Sequence, residues 1–198
     1  MDNERARVGG ERFVDLTGDP GFKAVLADPE NIEVLKDIVN AFMPEGRKVE
    51  TIEFADRELS PRTDTDKGVR LDLRCQTTEG KNIIIEMQNR SSKAFFKRCM
   101  YYCSKAYSYN MTSGSDYSKL EPVYLIAFMV NPLLEPELLQ PHGRVSWYTM
   151  MDAEYKNLAP DLINVIFVRL NEVPDLSECS TVREKYMYYF SHMSGFKE

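Results

Sequence analysis

Two short runs of alternating apolar and polar residues, joined by a turn that contains glycine, constrain the fold of this chain more than any other feature. The first run, residues 70–76, has apolar side chains at every odd position, and the second, residues 82–88, has Ile83, Ile85 and Met87 on one face. Strict alternation is typical of β-strands that bury one face. Glycine in the short connection favours a hairpin. The sequence therefore predicts an antiparallel pair of strands over residues 70–88.

The length of the turn decides whether two acidic side chains of this hairpin meet. If residues 78–80 form a three-residue turn with Gly80 in the left-handed conformation, the two strands pair so that Asp72 lies directly opposite Glu86. The Cβ atoms of the two carboxylates are then about 5 Å apart on the polar face. A two-residue turn at residues 79–80 sends the carboxylates to opposite faces instead.

The paired carboxylates predict a metal site. Two carboxylates this close repel each other unless a cation, a proton or basic neighbours compensate their charge. Mg²⁺ binds oxygen ligands from one or two carboxylates and retains several waters, and it can activate water and stabilise charge on a phosphate. Gln88 shares the face of Asp72 and Glu86 and is placed to orient that water or to contact the phosphate, although its amide supplies no charge. Two solvent-facing carboxylates paired with nearby arginines are the alternative, and spacing alone leaves both open.

The other segments predict an α/β sandwich with a mixed central sheet. Asp28 and Pro29 are typical of a helix start, and Pro44 ends that helix. Thr181 and Glu184 have the spacing of a capping box. Helices are predicted over residues 28–44, 92–111 and 181–192. The second helix has an inner apolar stripe of Phe95, Cys99, Tyr102, Ala106 and Tyr109. Further strands are predicted over residues 49–54, 123–130, 145–150 and 163–170.

Several classes of protein are disfavoured by composition. The four cysteines show no Cys-x-x-Cys spacing and there are two histidines, so a zinc centre is not expected. Glycine-rich nucleotide-binding loops are missing from the sequence. The longest apolar run, residues 123–130, is far shorter than the ~20 residues of a membrane helix, and residues 1–7 lack the apolar stretch of a secretory signal. We therefore expect a cytoplasmic protein with no membrane partner.

A series of short blocks resembles one known family. Residues 68–88 combine an aspartate on the first hairpin strand with Glu86-Met-Gln88 at the end of the second. Together with blocks on both sides, they resemble the PD-(D/E)XK nuclease family transposases, relatives of the recombination-promoting nucleases. The resemblance runs from about residue 12 to residue 130, and more loosely to the last helix. The flanking blocks are Arg12-Phe-Val-Asp15, Asp19-Pro-Gly-Phe-Lys23, Asn31, Leu35, Val39-Asn-Ala41, Phe95-Phe-Lys-Arg98, Tyr101-Tyr102, Gly114, Tyr117 and Leu120-Glu-Pro-Val-Tyr124.

The resemblance implies a fold and a reaction. The implied fold is the restriction-endonuclease-like sandwich, in which helices flank a mixed central β-sheet. The implied reaction is hydrolysis of DNA phosphodiester bonds with Mg²⁺ or Mn²⁺, and it is linked to transposition or recombination. Asp72 and Glu86 match the motif acids as metal ligands, with the backbone carbonyl of Met87 as a further ligand. Gln88 takes the place of the motif lysine. For Asp19 and Lys23 the sequence indicates only an ion pair at a helix end.

The missing lysine and the net acidity favour an alternative function, a catalytically silent relative that binds DNA or a protein. We expect residues 1–11 to form a flexible arm and residues 12–198 a single nuclease-like domain. A homodimer would suit two coordinated strand breaks.

Local charge favours DNA as a partner. The chain has a formal charge of −6, but residues 61–105 contain ten Lys and Arg against five Asp and Glu, which gives +5 there and leaves −11 elsewhere. Contacts to phosphates depend on local lysine and arginine rather than on the total charge. The candidate DNA-binding residues lie on the helix predicted after the hairpin, and they are Lys93, Lys97, Arg98 and Lys105. An ordinary solvated helix face is the alternative.

Overall fold

A computed structural model of the 198-residue chain describes residues 14–61, 63–90, 92–131 and 143–193. These residues form a six-stranded mixed sheet, a two-stranded ribbon and α-helices on both faces of the sheet. The expected arm, residues 1–11, lies outside the described residues. The strands are β1 (Glu53–Phe54), β2 (Glu58–Leu59), β3 (Val69–Arg70), β4 (Leu73–Gln76), β5 (Asn82–Gln88), β6 (Val123–Met129), β7 (Val145–Tyr148) and β8 (Ile163–Arg169), and the helices are α1 (Asp19–Leu26), α2 (Ile32–Phe42), α3 (Phe95–Ser108) and α4 (Val182–His192).

The sheet has the strand order β1-β4-β5-β6-β8-β7. Its centre, β5, β6 and β8, is parallel, whereas β1, β4 and β7 pair antiparallel with their neighbours. All seven residues of β6 are buried, as expected of a parallel strand whose two faces are both covered. The architecture confirms the α/β sandwich and is consistent with the restriction-endonuclease-like fold.

Aromatic packing holds a helical layer on each face of the sheet. On the face covered by α1, α2 and α4, the ring of Phe128 lies 5.1 Å from that of Phe42 and 4.4 Å from that of Phe190, centroid to centroid. On the face covered by α3, Phe95 stacks on Phe167 at 5.7 Å. Such pairs add to the free energy of burial. No helix in the described part of the chain is long and apolar enough to cross a membrane.

The helix ends follow the predicted capping residues, with shorter helices than expected. Asp28 caps a turn of 3₁₀-helix at Pro29–Asn31 before α2 begins. The capping box is confirmed, because Thr181 and Glu184 exchange hydrogen bonds of 3.1 Å between each backbone N–H and the other side chain. Helix α3 spans less than residues 92–111, and its buried stripe differs from the predicted one: Cys103 is buried, whereas Tyr102 and Tyr109 are half-buried.

The hairpin has the predicted register. Leu73 pairs with Ile85 along β4 and β5, and the N–H of Thr77 donates to the carbonyl of Lys81 at 3.0 Å to close the turn. Gly80 has φ of +90°, the left-handed conformation that glycine adopts without strain. The three-residue turn is therefore confirmed, and it fixes which residues of the two strands face each other.

We expect Gly80→Ala to lower the free energy of unfolding by about 1–2 kcal/mol, since a side chain at this φ is strained. A Cβ at this position would also lie 3.0 Å from Cγ of Glu121. Urea denaturation measures the change, with Gly18→Ala as the matched control, because Gly18 has φ of −88° and no atom closer than 3.7 Å to an added Cβ. Equal stability of the two variants would contradict the assigned turn.

One expectation about the hairpin is wrong. Alternation puts Leu71 on the same face as Leu73 and Cys75, yet Leu71 packs in the core under α3 while the other two pack in the core under α1, α2 and α4. The cause is a break in the strand: the N–H of Leu71 donates to the carbonyl of Arg57 at 2.9 Å. The chain therefore leaves the β2–β3 ribbon at Leu71 and enters the main sheet only at Leu73.

Candidate active site

Asp72 and Glu86 face each other across the hairpin, as the turn length predicts. The backbone N–H of Asp72 donates to Oε1 of Glu86 at 3.0 Å. In return, the N–H of Met87 donates to Oδ2 of Asp72 at 3.0 Å. The strand break before β4 leaves the N–H of Met87 free for Asp72, because Leu71, which the hairpin register would place opposite Met87, donates its own N–H to Arg57 instead. Each carboxylate is therefore held by the backbone of the opposite strand.

The two carboxylates differ in environment. Glu86 is 6% exposed, and burial together with the negative charge of Asp72 raises its pKa to about 8. The side chain of Asp72 is 21% exposed. The alternative of two solvent-facing carboxylates paired with arginines does not describe this geometry, since among the described residues the one ion pair to either carboxylate comes from a lysine. The charged form of Glu86 is therefore disfavoured unless a cation compensates it.

Gln88 lies two residues beyond Glu86 on β5 and is 9% exposed. Its side-chain amide donates to the carbonyl of Arg90, and its Oε1 accepts a hydrogen bond from Nη2 of Arg98. The guanidinium of Arg98 lies 4.7 Å from the ring centroid of Phe95, and its Nε is buried without a hydrogen-bond partner among the described residues. Stacking and hydrogen bonding thus fix the orientation of Gln88.

The four candidate DNA-binding residues occupy different positions. Lys93, just before α3, and Lys97, in its first turn, are exposed. Arg98 contacts Gln88. Lys105 forms an ion pair with Asp66 of the preceding loop, and its side chain is 13% exposed. Of the four, the structure brings Arg98 to the candidate site. The DNA contacts of all four stay a prediction.

Lys23 is a residue of this site that the sequence analysis missed. Its Nζ lies 2.5 Å from Oδ1 of Asp19, the expected ion pair, and also 3.2 Å from Oδ1 of Asp72. Helix α1 thus reaches the hairpin although the two are far apart in the sequence. The block Asp19-Pro-Gly-Phe-Lys23 is the one sequence signal for it, and in the sequence analysis that block indicated only the ion pair.

The donor set fits a hard divalent cation. Asp72 and Glu86 offer carboxylate oxygens, and Met87, the expected third ligand, lies between Glu86 and Gln88 with its N–H bound to Asp72. The described residues contain no group of three or more His, Cys, Asp or Glu arranged to hold a metal. Mg²⁺ nevertheless suits such a site, because it commonly uses only one or two carboxylates and keeps several waters.

Comparison with known proteins identifies a family. A family model described as PD-(D/E)XK nuclease family transposase matches residues 16–198, which include every described helix and strand. Searches of curated proteins and of solved structures gave no significant match. The match does not support the expected homodimer.

Proposed function

Because the chain belongs to the PD-(D/E)XK nuclease transposase family, we propose that it is a metal-dependent deoxyribonuclease that acts in transposition or recombination. The observation that supports this proposal most directly is the pairing of Asp72 and Glu86 across the hairpin, with each carboxylate bound by the opposite backbone. The reaction adds water to a DNA phosphodiester, breaks one bond from phosphorus to a deoxyribose oxygen, and leaves a phosphomonoester and a hydroxyl group.

Asp72, Glu86 and the carbonyl of Met87 would hold Mg²⁺ or Mn²⁺. When bound, such an ion lowers the pKa of a water and stabilises the negative charge that develops on the phosphate. Gln88 orients the attacking water through its side-chain amide, and Arg98 holds Gln88 in place. Lys93 and Lys97, both exposed beside the site, contact the DNA backbone. All the side chains that the proposal assigns to the chemistry come from one chain.

The proposal predicts cleavage of supercoiled plasmid by the purified protein in millimolar Mg²⁺ or Mn²⁺, and none in excess EDTA, because the activated water requires a bound metal ion. Gel electrophoresis measures the conversion to nicked and linear forms. Equal cleavage in EDTA would contradict metal dependence. Salt-sensitive DNA binding without cleavage in either metal would instead favour the catalytically silent binding module.

A further inference from the structure

We propose that Lys23 supplies, from helix α1, the positive charge that Gln88 cannot provide to the phosphate at the candidate active site. This inference rests on the proposed nuclease function and adds a residue to it. The family motif places a lysine where this chain has the neutral Gln88, which leaves room for a cation from elsewhere in the chain. Of the described ion pairs, only the one made by Lys23 reaches Asp72 or Glu86.

The contacts of Lys23 leave its ammonium group available at the edge of the site. Its Nζ contacts Oδ1 of Asp19 and Oδ1 of Asp72, and an ammonium has three donors, so one remains after these two. The side chains of Lys23 and Asp72 are 27% and 21% exposed, so DNA can approach both. Arg98, in contrast, is stacked on Phe95 and bonded to Gln88.

Helix α1 is seated tightly enough to hold Lys23 in this position. A Cβ added to Gly21 would lie 2.0 Å from the carbonyl oxygen of Asp15 and 2.6 Å from Cγ1 of Val14, so a larger residue does not fit between α1 and the segment that precedes it. Phe22 is fully buried in the core between the helices and the sheet. Gly21 and Phe22 therefore anchor the turn of α1 that carries Lys23, and the whole Asp19-Pro-Gly-Phe-Lys23 block has a physical role.

The charge is needed where the phosphate binds. Hydrolysis builds negative charge on the phosphate oxygens, and preorganised cations in a partly dehydrated site stabilise that charge. A lysine ammonium suits this task because it is a compact charge with freely rotating donors. If Lys23 instead serves only to hold Asp72, its loss would weaken metal binding and added metal would restore cleavage.

The test compares Lys23→Met, Lys23→Arg and the control Lys36→Met, which removes a lysine of similar exposure from its ion pair with Glu33 on α2. We would measure kcat and KM for a DNA duplex at saturating Mg²⁺, Mn²⁺ affinity by electron paramagnetic resonance without DNA, and thermal unfolding. The expected result is a fall in kcat of about a hundredfold in Lys23→Met. Its KM should change little, and its affinity for Mn²⁺ should be unchanged or higher. Lys23→Arg should recover much of this loss, and Lys36→Met should match the wild type.

Two results would overturn the role of Lys23. The first is cleavage by Lys23→Met at the wild-type rate. The second is a loss of cleavage that high Mg²⁺ restores, in a variant that also binds Mn²⁺ more weakly. Should Lys23→Met fail to fold, Lys23→Arg and Lys23→Gln replace it, and equal kcat values for these two would equally refute a role for the charge. Failure of the wild-type protein to cleave DNA would refute the nuclease function itself, and this inference with it.

Discussion

Asp72→Asn and Glu86→Gln are each expected to lower Mg²⁺-dependent DNA cleavage by at least about a thousandfold, which corresponds to about 4 kcal/mol of transition-state stabilisation. Both changes keep the size of the side chain and remove the charge that a hard cation requires. The two carboxylates lie on one face of the hairpin, where Glu86 accepts from the N–H of Asp72 and Asp72 accepts from the N–H of Met87. A further acid, Asp19, is paired with Lys23. Single-turnover cleavage of a labelled duplex measures the effect.

Glu79→Gln is the matched control for these variants. Glu79 lies in the turn of the same hairpin, its side chain is 68% exposed, and it pairs with Lys81 at 2.7 Å. Exposed ion pairs contribute about 0–1 kcal/mol to stability, so this variant should fold and cleave like the wild type. Cleavage by Asp72→Asn and Glu86→Gln at the rate of Glu79→Gln would exclude the hairpin as the active site and point to a contaminating nuclease.

Glu86→Gln is also expected to stabilise the metal-free protein at alkaline pH. The native pKa of Glu86 is about 8, against an ordinary value of 4.5, because burial and Asp72 disfavour its charged form. Between these two pH values the native state binds more protons than the unfolded state, so this group makes stability fall as pH rises towards about 8. Glutamine resembles the protonated acid and removes the penalty.

The stability difference between Glu86→Gln and the wild type should therefore grow from about pH 5 to pH 9. One pKa unit corresponds to about 1.4 kcal/mol, and relaxation around the buried charge reduces the effect of the full shift. We therefore expect the free energy of unfolding of Glu86→Gln to exceed that of the wild type by on the order of 2 kcal/mol at pH 9. For a chain of this length that gain raises Tm by roughly 4–8 °C. Thermal unfolding in EDTA across the pH range checks it, and a pH-independent difference would contradict the buried acid.

The hairpin and its two acids were predictable from the sequence because the information is local. Alternation defines the strands, and Gly80 defines the turn, which together set the register. The helix ends at Asp28 and Thr181 were predictable for the same reason, since each cap is a contact between residues two or three apart. Local sequence patterns thus place Asp72 opposite Glu86 for a three-residue turn, and the structure selects that turn over the two-residue alternative.

Tertiary contacts account for what the sequence did not predict. Alternation alone assigned Arg74 to the polar face with Asp72, yet Arg74 is 5% exposed, bonded to Asn82 at 2.6 Å and close to the ring of Tyr109. Leu71 packs on the other face of the sheet because its N–H donates to the carbonyl of Arg57. Lys23 and Arg98 reach the site from separate helices, and no spacing rule connects either helix with the hairpin.

The strand order has a consequence for how the site is built during folding. The two acids are 14 residues apart and meet through a hairpin, a contact that closes a short loop and therefore forms early. Lys23 reaches them only when α1 docks on the completed core, which requires β6 and β8 from much later in the chain. We therefore expect the paired acids of the site to form before Lys23 joins them.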